Sequence, residues 1–187
     1  MSQNTQARTV ATANRSGLDI RSLVLLAILL AAGFILNFTV GKAISAMSAG
    51  MISPEFIISA FCLTILVIRP NVGQALVIGL ISAAVIQLTT TSPFIDFAAE
   101  GISAMVMALI VRAGMRGATA KVTPLLGTFV TTLLSGVIFM LIKMAMVGAA
   151  AELAAAMLPV VFATAVFNAI LVQALYLPIK KALKIEE

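Results

Sequence analysis

Gln87-Leu88-Thr89-Thr90-Thr91-Ser92-Pro93-Phe94-Ile95-Asp96-Phe97-Ala98-Ala99-Glu100 sets a glutamine, three threonines, a Ser-Pro pair and two carboxylates between long apolar runs. A helix that only faced lipid would carry none of these, because unpaired polar groups are expensive in hydrocarbon. The stretch therefore reads as the outer corner between two membrane spans. The remaining polar residues can be placed relative to it.

The chain is 61% hydrophobic and 10% charged, with mean hydropathy +1.15. Soluble domains are about a quarter charged. At about 20 residues per span, its 187 residues accommodate six spans with short loops and no additional soluble domain. The expected fold is an all-α membrane protein, a six-span helical bundle with both termini cytoplasmic. A disordered cytoplasmic tail over 1–21 precedes a single transmembrane domain over 22–187.

Composition also narrows the chemistry. The chain has no histidine and a single cysteine, so Ser-His and Cys-His catalysis and histidine metal sites are excluded. Cys62 sits inside an apolar run with no disulfide partner. No Walker sequence, Gly-rich phosphate loop or metal-ligand spacing occurs, and the expectation is that the protein is not an enzyme.

The first span is expected from Leu23 to Phe38, with Ala27 and Ala31 four apart on one face, where small residues let another helix approach. Residues 39–53 read as a small-residue loop containing Lys42, long for a connector and placed to fold over a site. Ser53-Pro54, Ser92-Pro93 and Thr123-Pro124 each pair a hydroxyl with a proline, which marks helix starts. They predict that the second, fourth and fifth spans begin there. The second span, ending before Arg69-Pro70, is too short to cross a bilayer alone and so must be extended or shielded by protein. The third, over about 72–88, aligns Ala75, Gly79 and Ala83 in a close-packing stripe. The sixth, over about 153–177, carries Pro159, Asn168 and Gln173.

Charge gives the orientation. With both termini inside, ten of the twelve Lys and Arg residues fall on cytoplasmic segments, and only Lys42 and Lys143 fall on the other side. Four of the seven acids, Glu55, Asp96, Glu100 and Glu152, lie toward the outside. The basic balance thus reports topology and requires no nucleic-acid partner.

Asp96 and Glu100, four apart, share a helix face, and a nearby cation would relieve their repulsion. Lys143 is the first candidate and Lys42 the second. Gln87, Thr90 and Asn168 supply hydrogen-bonding groups. Together Gln87, Thr90, Asp96, Glu100, Lys143 and Asn168 are the candidate ligand-binding residues. The structural alternatives are an ion pair joining two helices, threonines capping a span, and an Asn168 bonded to a neighbouring helix. A zwitterion would place its carboxylate toward Lys143 and its ammonium toward the acids.

Six spans in so short a chain, both termini inside, and Ala27-x-x-x-Ala31 together resemble the substrate-binding S components of energy-coupling-factor (ECF) ABC importers. The resemblance covers everything after the tail. It implies a chain in a prokaryotic cell membrane that captures a small nutrient from outside. Ala27 and Ala31 would meet a coupling membrane subunit, and two partner ATPases would hydrolyse ATP, leaving this chain without a cofactor. Ser53-Pro54-Glu55 and Thr89–Thr91 are similar to the tryptophan-type branch, but Ser92-Pro93-Phe94 is shorter than the Gly-Gly-containing insertion of that branch. The implied ligand is an amino acid such as tryptophan, or a vitamin. The alternative is a self-contained oligomeric channel or exporter, and a third reading is a structural membrane-assembly protein.

Overall fold

The computed structural model describes residues 18–50, 53–90, 92–148 and 150–183. Most of the expected tail (1–17), Thr91 and Lys184 lie outside the described residues. Among the described residues the fold is all-helical: α1 (Ile20–Leu36) runs through a π-helical turn (Asn37–Gly41) into α2 (Lys42–Met47). There follow α3 (Phe56–Ile68), α4 (Val72–Ile86), α5 (Ile95–Gly114), a 3₁₀ turn (Gly117–Lys121), α6 (Thr123–Val147) and α7 (Ala150–Ala182). Four helical segments are long and apolar enough to cross a membrane: Ile20–Met47, α5, α6 and most of α7. α3 and α4 are apolar but shorter.

The short α3 is the axis of the bundle. Its 13 residues carry no charge, and twelve of them, Phe56 to Val67, are buried. A helix apolar on every side belongs inside a protein. α3 touches α1, α4, α5, α6 and α7, and its Phe61, Ile65 and Leu66 are wholly inaccessible. At about 1.5 Å per residue it is only about 20 Å long, and shielding by its five neighbours is what makes that length tolerable. Cys62 lies in this core.

Close approach of helices is set by glycine. A Cβ on Gly79 of α4 would lie 2.5 Å from the Glu100 carbonyl oxygen and 2.8 Å from Ala104 Cβ on α5. Ala75, Gly79 and Ala83 are all buried, so the predicted small-residue stripe forms the α4–α5 seam. Gly33 serves α1 in the same way, since its Cβ would stand 2.9 Å from the Phe56 carbonyl oxygen. In contrast Ala27 and Ala31 are exposed and turn away from the bundle, while Leu26, Leu30 and Gly33 face it. Exposed Ile28, Leu109, Leu126, Phe162 and Ile170 continue the apolar exterior.

Helix starts differ from the hydroxyl-proline expectation at two of three places. α6 begins as predicted at Thr123 with Pro124 in its first turn. α3 begins at Phe56, because the side-chain oxygen of Asn37, from the π turn, accepts the Phe56 N–H at 2.7 Å. The cap is supplied from another helix. α5 begins at Ile95, because Phe94 adopts a left-handed conformation (φ 70°) and donates its N–H to Gln87 Oε1 at 3.0 Å.

The segment expected to be a loop over 39–53 is largely helical: the π turn and α2 carry the first helix to Met47. Residues 20 and 21, assigned to the tail, belong to α1, whose cap is Asp19 accepting from the Ser22 N–H. α4 starts on a reciprocal capping box between Asn71 and Gln74.

Candidate functional site

α3 and α5 both enter the bundle from the end where Asn37 and Gln87 sit, and α6 runs antiparallel to α5. This brings Glu55, Asp96 and Glu100 to one cavity of about 380 Å³. Its other walls are Asn37, Ile86 and Thr90, then Thr132, Ser135 and Phe139 of α6, and Met157, Val160, Val161 and Thr164 of α7. The volume is toward the lower end for small-molecule sites, about 300–1,000 Å³.

Each acid is held by a neutral donor. Asn37 Nδ2 donates to Glu55 Oε2 at 3.2 Å while its Oδ1 caps α3, so one side chain fixes both the helix start and the carboxylate beside it. Gln87 Nε2 donates to Asp96 Oδ2 at 3.2 Å, and Gln87 Oε1 accepts from Phe94. Ser135 Oγ donates to Glu100 Oε1 at 2.8 Å. Glu100 is 3% exposed, and its second oxygen, Oε2, has no partner among the described residues.

Of the residues named from sequence, Thr90, Asp96 and Glu100 line the cavity. Gln87 stands behind Asp96 as its donor. Thr90 also shapes the corner, accepting the Ser92 N–H at 3.2 Å. Asn168 is wholly buried and donates to the Glu55 carbonyl oxygen (3.2 Å) and toward Thr132 Oγ1 (3.5 Å). It is not part of the lining and ties α7 to the start of α3. Gln173 joins α7 to Lys121 through its carbonyl oxygen.

The expected pairing of Lys143 with the acids does not form. Lys143 is absent from the lining, and its Nζ lies 5.5 Å from the Phe139 ring centroid. The reason is register. The Glu100–Ser135 bond sets α5 against α6, so Asp96, one turn outward, is level with Phe139, and Lys143 falls a further turn beyond the acids. Lys42, the second candidate, also leaves them unpaired. It is exposed, with Nζ 3.8 Å from the Phe38 ring centroid, and borders a side recess of about 190 Å³ that adjoins the main cavity at Glu55.

Sequence reasoning named Glu55 as an outer acid and as part of the Ser53-Pro54-Glu55 resemblance but not as a site residue, and it passed over Asn37, Thr132 and Ser135. A signal for the last two was present. Thr128, Thr131, Thr132 and Ser135 recur at helical spacing on one face of α6, and all four are buried. No comparable pattern marks Asn37, whose role depends on the π turn, a feature often found at functional sites.

At the opposite ends of α3 and α5 lies a second cavity of about 460 Å³, lined by Arg69, Arg112 and Arg116 with Asn71 and Met115. The two cavities share no lining residue, and Phe61, Ile65, Leu66 and Met107 fill the interior between them. The bundle thus has an acidic end and a basic end. No family model, curated protein or solved structure matches this chain.

Proposed function

We propose that this chain is the membrane-embedded capture subunit of an ECF-type importer, taking a small polar nutrient such as an amino acid or vitamin from outside the cell. The observation that carries the reading is the acid-lined cavity, placed at one end of the bundle and separated from the other end by a packed core. A channel calls for a continuous polar path, and the Phe61–Leu66 core favours a binding pocket instead. Six spans, with α3 and α4 as the short ones, and cytoplasmic termini in a prokaryotic membrane complete the proposal. The arginine-lined end would then face the cytoplasm, in keeping with the preference for basic residues on that side. Catalysis on this chain and a cofactor of its own form no part of it.

Ala27 and Ala31 support a second aspect. They are exposed on a face of α1 that none of the described helices covers, as a surface meeting a coupling membrane subunit requires. Affinity purification from the native membrane tests this. Recovery of one further membrane subunit and two ATPases, lost when Ala27 and Ala31 are both replaced by Leu, supports the importer. Homo-oligomers alone would favour the channel or exporter reading. Because the chain has no tryptophan, bound tryptophan would be visible by its own fluorescence.

A further inference from the structure

The charge of the cavity lining restricts the class of ligand. Three carboxylates face this space, and among the described residues lining it none is Lys or Arg. Glu55, Asp96 and Glu100 each accept at least one hydrogen bond from a neutral side chain, Asn37, Gln87 and Ser135 respectively. These donors orient the carboxylates but bring no positive charge. Glu100 goes further: it is almost wholly buried, lines the cavity, and leaves Oε2 without a hydrogen-bond partner among the described residues. A buried carboxylate oxygen with no donor is a binding position awaiting one, since leaving it unpaired forfeits both hydration and charge compensation.

An inorganic cation does not fit this arrangement. Among the described residues no three acidic, thiol or imidazole groups stand close enough together to hold a metal ion. Asp96 and Glu100 lie on one face of α5, and Glu55 stands just before α3. The lining also includes the apolar Phe139, Met157, Val160 and Val161 beside the hydroxyls of Thr132, Ser135 and Thr164. A ligand that satisfies both parts of the lining has a charged end and an apolar body.

We infer that the cavity takes an amphipathic organic cation, a molecule with a protonated nitrogen and no carboxylate. Its protonated nitrogen pairs with the Glu100 carboxyl group, and its apolar body lies against Phe139 and the α7 valines. Asp96 and Glu55 line the same space. Among the described residues no cation lines the main cavity to meet a free carboxylate on the ligand, so anions and zwitterions are disfavoured. The inference rests on the capture reading above and narrows its substrate class.

The test incubates the purified full chain in detergent with a protein-free small-molecule filtrate of cell lysate, then identifies retained molecules by mass spectrometry. Retention of amines or protonated heterocycles without a carboxylate is expected, falling about tenfold or more in E100Q and unchanged in the exposed-site control L126A. Retention of an anion, a neutral molecule or a zwitterion by the wild-type protein overturns the inference and leaves the capture reading standing. Retention of nothing overturns both. The chemical identity is read on the wild-type chain, so the result does not depend on E100Q folding.

Discussion

Replacing Gly79 by alanine probes the contact on which the site is built. The added Cβ would stand 2.5 Å from the Glu100 carbonyl oxygen and 2.8 Å from Ala104 Cβ, and ordinary contact begins near 3.4 Å. The first obstacle is backbone, so α5 must retreat from α4 by about 0.9 Å, the difference between those distances. Overpacking of this kind costs about 1–3 kcal/mol. For a chain of this size each kcal/mol corresponds to about 2–4 °C in the unfolding midpoint. The displaced residue is Glu100 itself, and binding groups need placement within about 0.5 Å. G79A should therefore lose capture of the molecules retained by wild type more completely than it loses stability. The control is G73A on the same helix, where the added Cβ meets only Asn71 Oδ1, at 3.5 Å. It should be neutral or stabilising by about 0.5–1 kcal/mol. Thermal unfolding in detergent, paired with the retention assay, reads both quantities. If G79A unfolds with G73A and retains the same molecules, the α4–α5 seam is not what positions Glu100.

Two further outcomes follow from the site's hydrogen bonds. N37A removes the cap of α3 and the donor to Glu55 together, so it should destabilise by about 1–2 kcal/mol and also weaken retention; a loss of stability with retention intact would separate the two roles of Asn37. K143A should leave retention within about twofold, less than the 1.4 kcal/mol that corresponds to tenfold, because Lys143 lies a turn beyond the acids; a loss of tenfold or more, measured by the same assay, would return Lys143 to the site.

Much of the architecture is legible in one dimension because the bilayer-scale pattern is local. Long apolar runs, the Ala75–Gly79–Ala83 stripe and the Thr123-Pro124 start are properties of consecutive residues; the structure has the stripe and the start as read, and the apolar runs as helices with shifted bounds, four of them long enough to cross a membrane. The shortness of the second apolar run even implied shielding, and α3 is enclosed by five helices. Asp96, Glu100 and Thr90 were also recoverable, since polar groups in apolar sequence need a reason.

What escaped depended on relations between helices. Asn37 caps α3 from the π turn, so Ser53-Pro54 lost its role as a helix start. The polar face of α6 was visible as periodicity, but only its antiparallel register against α5 joins Ser135 to Glu100 and carries Lys143 past the acids. Sequence alone determined which residues are too polar to face lipid, because that cost belongs to each residue. Tertiary structure decided which of them share a cavity and which lysine misses it, because register is fixed by contacts between helices, here the Glu100–Ser135 bond of α5 and α6, and has no signature in the spacing along a single helix.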